Sequence, residues 1–534
     1  MSDASLPRRP SPADQAERDA AASHIDSHVI LEAGAGSGKT TSLIARYMHI
    51  VDHDPGAQRD GAAFLDRIAA ITFTNKAARE MKQRLRAEFV RRMKSAADVH
   101  GRRNWRERLR RLETAPIQTI HALCTSLLKQ FPFAAGVDPE FQVIDELQTT
   151  TLLPQAVRDS LLAGLEEDRL SAGLVIGYYE SVGSAAGALE ALICKREKYR
   201  RYLDNPPTPG QLLEYWEQEE KQWLEEAVKG LLADPAWTAC LADLRAFADT
   251  ALDYPEDKLS PRVVEMLHLA QDLPGPDAEV LTEWLSTLQQ SAKVGNAGAK
   301  SAWEAHGSPT AVRQRLKDLV AVAESHLGLV TTAVPPLPET AEIAAAIWEE
   351  ARCALEAWRE LKDTQNVLDY DDLQIKVRDL LRGDRQVRAQ LQRRFRHILV
   401  DEFQDTNELQ SEIVWLLAGV EKLGNEAARV FVVGDAKQSI YRFRDADVVV
   451  YNTTRTAFEG KAHHEARRLG VSFRPNSALM EFFNRVFSCP QVMGTDEKPP
   501  YEARYEPMQA TRDAVPVVPA VMGVLVAHDD SEAF

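Results

Sequence analysis

Eight residues near the N-terminus, Ala33-Gly34-Ala35-Gly36-Ser37-Gly38-Lys39-Thr40, combine small side chains with one cation and a hydroxyl. That combination suits a phosphate chain. Backbone N–H groups of unbulky residues can wrap the anion, the Lys39 ammonium adds charge, and the Thr40 hydroxyl can hold Mg2+. Thr41 continues the polar start, and Ser42, Leu43 and Ile44 carry on as a helix whose positive N-terminus faces the anion. A strict phosphate-loop pattern has Gly where this chain has Ala33. Phosphoryl chemistry needs a second, acidic site, and His397-Ile398-Leu399-Val400-Asp401-Glu402 supplies one at the end of an apolar run. Asp401 is expected to hold Mg2+, and Glu402 to polarise a water for in-line attack.

Such groups must be held by a sheet. Val29-Ile30-Leu31, Ile68 to Phe73, His397 to Val400 and Val430 to Val433 are nearly unbroken apolar runs, as in strands buried on both faces. Helical patterns follow them; Met81, Leu85 and Phe89, for example, are spaced four apart. Strands alternating with helices predict an α/β fold with a parallel sheet. Between about Phe141 and Leu361 the texture turns to Ala/Leu/Glu-rich helices. Ile343, Ile347, Leu355 and Trp358 share one predicted face, as do Val312, Leu316, Leu319 and Val320. Proline breaks at 205–210, 274–276 and 335–338 read as loops between helices. A strand-like run, Val517 to Val526, follows irregular sequence near the C-terminus, and no internal repeat is present.

Composition excludes little. With 44% hydrophobic and 27% charged residues the chain resembles an ordinary soluble globular protein, and no stretch is long and apolar enough to span a membrane. The start of the chain lacks the apolar segment of a secretory signal. Five scattered cysteines without a C-x-x-C pair argue against zinc and disulfides and fit a cytoplasmic setting. The net charge is −16, but Lys76 to Arg111 is densely basic, and phosphate affinity follows local clustering rather than the sum. By itself that stretch reads as a solvated helix face.

The tract Asp401-Glu402-Phe403-Gln404-Asp405-Thr406 is far more specific than a pair of acids. It resembles motif II of the UvrD/RecB family of superfamily 1 helicases, and further tracts resemble that family's motifs in the family's order. Thr72 to Met81 is similar to motif Ia, Thr119-Ile120-His121 to motif Ib, Gly434 to Arg444 to motif III, and Leu469 to Asn476 to motif IV. Gln15 resembles the glutamine that reads the adenine edge. The resemblance implies a DNA-stimulated ATPase, with ATP and Mg2+ as cofactors and 3′-to-5′ movement on single-stranded or end-containing DNA in repair or recombination. It implies that Gln438 senses the γ-phosphate and that Arg474 contacts it. DNA contacts are expected from Phe73, Thr74, Asn75, Lys76, Thr119, His121, Tyr441, Phe443 and Arg444, the aromatics by stacking on bases and the polar groups without reading sequence.

The wide gap between Lys39 and Asp401, and the tract Leu368 to Leu373, are more like the RecB/AddA branch, which implies an AddB/RecC-like partner subunit or a C-terminal helicase/nuclease half. The expected organisation is a first RecA-like P-loop domain from 1–135 and 366–460, an inserted helical domain at 136–365, and the start of a second RecA-like domain at 461–534. No match to the family's motifs V and VI occurs before Phe534. The alternative expectation is therefore a truncated or split module that binds nucleotide or DNA and needs a partner for catalysis.

Overall fold

The computed structural model describes residues 11–331, 337–419, 428–442, 446–496 and 498–513. The chain divides into two compact units, one of Met1–Thr149 with Lys362–Phe534 and one of Thr150–Leu361.

The strands, in chain order, are β1 (His28–Ala33), β2 (Ile68–Thr72), β3 (Ile117–Thr119), β4 (Gln142–Val143), β5 (Val367–Leu368), β6 (His397–Val400), β7 (Arg429–Gly434), β8 (His464–Leu469), β9 (Val471–Asn476) and β10 (Gln509–Arg512). Six of them make one sheet in the order β3-β2-β6-β7-β1-β8, with every pairing parallel. The alternation of side chains along each strand explains why apolar runs were needed. Ile30, Ile398, Val400, Val430 and Val432 face one core, and Val29, Leu31, Leu399, Phe431 and Val433 face the other. Helices cover both faces: Lys39–His53 and Asn75–Ser95 contribute Leu43, Tyr47, Met81, Leu85 and Phe89 to one core. Tyr370–Gly383 and Glu408–Ala418 contribute Leu373, Val377, Ile413 and Val414 to the other.

The four strands expected at Val29, Ile68, His397 and Val430 are present, each within a residue or two of its anticipated bounds. The region expected to open a second domain at residue 461 is different. Its first strand, β8, pairs along its whole length with β1 and is the edge of the six-stranded sheet. Its sequence, His-Glu-Ala-Arg-Arg-Leu, lacks an apolar run because an edge strand is half-solvated. After β8 the chain starts a separate parallel pair, β9 with β10, joined by the helix Ser477–Phe487. Val517 to Val526 lie outside the described residues.

The second unit is helical throughout its described residues, with Pro209–Ala233, Pro235–Asp253, Ser260–Gln271, Ala278–Ser291 and Pro309–Thr331 among its helices. Its core holds Trp237, Trp284 and Trp303 together with Val312, Leu316, Leu319 and Val320, the four expected to share a face. On the helix Pro338–Gln365, Leu355 and Trp358 are buried as expected, but Ile343 and Ile347 are only half-buried, and Ala346, Glu350 and Ala354 take the inward positions. The bounds of this unit, Thr150 and Leu361, lie inside the expected 136–365. The difference arises because β4 and β5 pair with each other within the first unit, where the chain leaves it and returns. No helix among the described residues is long and apolar enough to cross a membrane.

Candidate nucleotide and nucleic-acid site

Apart from Gln15 and Arg474, the candidate residues lie on or beside the segments that leave the carboxyl ends of the parallel strands, where open α/β sheets bind ligands. From β1 comes the phosphate loop, from β2 Phe73 to Lys76, from β3 His121, from β6 Asp401 to Asp405, and from β7 Asp435 to Tyr441.

The phosphate loop turns sharply. Gly36 and Gly38 have φ of +74° and +94°, a left-handed backbone that side chains disfavour. A Cβ on Gly36 would also lie 2.6 Å from Cβ of Arg474 and 2.8 Å from Oγ of Ser472. The β9 strand therefore crosses directly over the loop, with Phe473 donating its N–H to Gly36 O (2.9 Å) and Ser472 Oγ donating to Ala35 O (2.8 Å). Arg474, exposed on β9, stands beside the loop.

Lys39 is buried and donates to Glu402 Oε2 at 2.5 Å and to Gln438 Oε1 at 3.0 Å. The three residues, 363 and 399 positions apart from Lys39 in sequence, thus share one point in space. Glu402 itself sits at φ +51°, ψ +47°, a conformation that costs a non-glycine residue about 1 kcal/mol or more and clusters at functional sites. Gln404 holds it there: its Nε2 donates to Glu402 Oε2 (2.7 Å) while its Oε1 accepts the N–H of Asp435 (2.9 Å).

Asp401 and Asp405 are buried beside this cluster. Burial first, then the neighbouring Glu402 carboxylate, pushes each carboxyl up to about 6, against the opposing pull of Lys39. Asp405 Oδ1 has no hydrogen-bond partner. A site with three carboxylates, one ammonium and an orphaned oxygen is short of positive charge, which is the property expected of a place that takes a divalent cation. These carboxylates do not converge into a cage of their own: among the described residues no group of three or more His, Cys, Asp or Glu side chains is placed to hold a metal ion by itself. A single carboxylate and a hydroxyl suit Mg2+ held jointly with phosphates. Thr40 is half-buried in the first turn of its helix, and Thr41 is exposed beside it.

Gln15 begins the helix Gln15–Ser23 but spends its side-chain N–H on Asp19 of the same helix (2.7 Å). Arg18, three residues on, reaches the loop instead. It donates to Ser37 O (2.6 Å) and Val471 O (3.2 Å), pairs with Asp14, and lies 4.9 Å from the centre of the Phe473 ring. Sequence reasoning missed Asp14, Arg18 and Phe473. The signal was the aromatic within the motif IV tract, which sits beside the loop only because β9 folds over it.

The nucleic-acid candidates form a second group. The Phe73 and Tyr441 rings are 4.7 Å apart, joining the tracts after β2 and β7. Thr74 and Thr119 accept from Ala77 N (3.1 Å) and Ala122 N (3.3 Å), so both hydroxyls cap helices. Asn75 and Lys76 are exposed on the first turn of the capped helix. His121 lies 5.0 Å from the Tyr370 ring and 3.1 Å from Gln374 Nε2, which brings the tract Leu368 to Leu373 to the same edge. Phe443 and Arg444 lie outside the described residues. The basic stretch is partly compensated: Arg84, Arg86, Arg91, Arg92, Arg103 and Arg111 pair with nearby carboxylates.

Comparison with known proteins places the chain in a family. Residues 14–459 match the family model of the UvrD/REP helicase N-terminal domain. The chain is 27% identical over 509 residues to an ATP-dependent helicase/nuclease subunit of Lactobacillus delbrueckii subsp. bulgaricus, covering 86% of this chain and 38% of that protein. It is 26% identical over 526 residues to the corresponding helicase/nuclease subunit of Enterococcus faecalis (87% of this chain, 37% of the relative). The counterpart in Geobacillus thermodenitrificans is 26% identical over 516 residues (87% and 38%). The chain thus spans about two-fifths of the length of these curated relatives.

Proposed function

Because the chain belongs to the UvrD/REP helicase family, we propose that it is the ATP-hydrolysing core of a DNA helicase acting in repair or recombination. The proposed movement is 3′ to 5′ and the proposed hydrolysis is stimulated by DNA. The observation that carries this reading is the meeting of Lys39, Glu402 and Gln438 at the phosphate loop, on the same sheet edge as Phe73 and Tyr441.

In this reading Ala33 to Thr41 wrap the phosphates, and Thr40 and Asp401 hold Mg2+. The ion supplies charge neutralisation for the β- and γ-phosphates. Lys39 exchanges its contacts with Glu402 and Gln438 for the phosphates, which unmasks both residues together. Glu402, kept oriented by Gln404, then accepts the proton of an attacking water. Gln438 turns toward the γ-phosphate, and Arg474 contributes positive charge from β9. Phe473 offers a flat face beside the loop on which an adenine can lie, with Arg18 steadying that face. Phe73, Tyr441, Phe443 and His121 stack on or contact bases, while Thr74, Asn75, Lys76, Thr119 and Arg444 serve the backbone. The capping bonds occupy the Ala77 and Ala122 N–H groups, so the hydroxyl hydrogens of Thr74 and Thr119 and the uncapped first-turn N–H groups serve as the phosphate contacts there.

The unit Thr150–Leu361 reads as a helical domain inserted in the first RecA-like domain, and β9 with β10 as the beginning of a second. The relatives are by name subunits of a helicase/nuclease, which supports a partner of AddB/RecC type and an associated nuclease. Five free thiols fit a cytoplasmic location. The test is ATP hydrolysis with and without single-stranded DNA, using Lys39→Ala as the blank. DNA-stimulated turnover that is lost in the variant is expected. Lys39-dependent binding without turnover would instead favour the split, non-catalytic module, and binding indifferent to Lys39 would refute the site.

A further inference from the structure

Gln438 is held by a chain of shielded charges that the hydrolytic reading does not use. Asp435, at the end of β7, divides its two oxygens. Oδ2 accepts Gln438 Nε2 at 2.6 Å, while Oδ1 accepts the Lys437 backbone N–H at 3.2 Å and the Lys437 ammonium at 2.8 Å. Lys437 Nζ also lies 3.3 Å from Oε1 of Glu32, the residue preceding Ala33 on β1. Strands β1 and β7 are neighbours, with Glu32 level with Gly434, so Asp435 and Glu32 are two shielded carboxylates on adjacent strand ends. Lys437 is the cation between them.

This arrangement dictates which way the Gln438 amide faces. Asp435 when ionised can only accept, so Nε2 must be the end turned toward it, and Oε1 is the end left for Lys39 (3.0 Å). Remove the Lys437 ammonium and the two carboxylates face each other with little compensation, so the Asp435 side chain moves away from Glu32 and the amide is no longer held in one orientation. Burial works against the charge on Lys437, but Asp435 and Glu32 outweigh it and raise its affinity for its proton. The neighbouring Arg455, 3.7 Å from Glu32, shares the second carboxylate and not the first.

We propose that Lys437 is a positioning residue for nucleotide discrimination: by locking Asp435 it sets the Gln438 amide, and so lets the phosphate loop distinguish a triphosphate from a diphosphate. This rests on the reading that Gln438 reports on the γ-phosphate. It is tested by measuring, in the full chain with Mg2+, the dissociation constants of ADP and of a non-hydrolysable ATP analogue. The variants are Gln438→Ala, Lys437→Met, the two combined, Lys437→Arg and Asp435→Asn. Gln438→Ala and Lys437→Met are each expected to lose roughly tenfold of the preference for the triphosphate, the worth of one charge-assisted hydrogen bond. The double variant loses no more than either alone, and Lys437→Arg keeps the preference. Asp435→Asn, which preserves shape but cannot accept on both sides, loses it as well and decides the matter should Lys437→Met fail to fold. Unchanged discrimination in Lys437→Met or Asp435→Asn, with loss in Gln438→Ala, overturns the inference and leaves the sensor reading intact. An additive loss in the double variant also overturns it, because Lys437 would then act independently of Gln438. If Gln438→Ala itself discriminates normally, the sensor reading falls and the inference with it.

Discussion

Replacing Asp401 with Asn should stabilise the nucleotide-free chain while abolishing its chemistry. Burial, and then Glu402, raise the Asp401 carboxyl from 3.8 to about 6, with Lys39 opposing. A carboxyl that binds its proton more tightly when folded than when unfolded makes stability fall as pH rises between those two values. Below about pH 4 the cost is absent, and above about pH 6 it is fully expressed. A rise of that size corresponds to about 3 kcal/mol. Asparagine carries no such charge and keeps an oxygen for the Glu402 N–H, which Asp401 Oδ1 now accepts at 3.1 Å. The expected gain is therefore about 2–3 kcal/mol at about pH 7.5, shrinking toward zero at about pH 4. Intrinsic fluorescence is a poor probe, since most of the tryptophans (Trp216, Trp223, Trp237, Trp284, Trp303, Trp348 and Trp358) lie in the helical unit. Hydrogen exchange of the amides of β6, read by mass spectrometry across that pH range, reports the sheet directly. Mg2+ with nucleotide should slow exchange in the unsubstituted chain and have little effect on the variant. Faster exchange in the variant at neutral pH, or a gain that persists at about pH 4, would refute the claim that Asp401 is held short of positive charge.

Three other outcomes are expected. Glu402→Gln should bind ATP with near-normal affinity and fall in turnover by about 10² or more, since the proton acceptor is gone while the Gln404 contact can persist; undiminished turnover would remove Glu402 from the mechanism. Gly36→Ala should lower stability by about 1–2 kcal/mol and weaken nucleotide binding, because φ is +74° and the new Cβ would press on Arg474 and Ser472; a melting curve with a nucleotide titration checks both. Phe73→Ala should cost about 1–3 kcal/mol of single-stranded DNA affinity by fluorescence anisotropy, and an unaltered affinity would mean that the Phe73–Tyr441 pair is packing alone.

The chain's local order determined a great deal. Apolar runs at Val29, Ile68, His397 and Val430 announce buried strands because a parallel sheet covered on both faces admits few other residues. The phosphate loop is legible for a similar reason: its chemistry requires small residues, a lysine and a hydroxyl in consecutive positions. Edge strand β8 was not legible, because a half-solvated strand bears no apolar signature. Ile343 and Ile347 were expected to face inward, but the packing of their helix placed alanines there.

Tertiary structure alone decided which distant residues meet. Lys39 contacts Glu402 and Gln438 across hundreds of residues because β1, β6 and β7 end at one edge of the sheet, an order that no local pattern encodes. Phe473 joins the nucleotide site only because β9 crosses the phosphate loop, and Arg18 because the helix before β1 brings it to Ser37 O. Gln15, chosen by its place in sequence, turns to its own helix instead. Residue types set what chemistry is available, since charge and hydrogen-bonding capacity belong to side chains. Strand order and loop crossing set which groups share a site, since electrostatic coupling depends on separation in space.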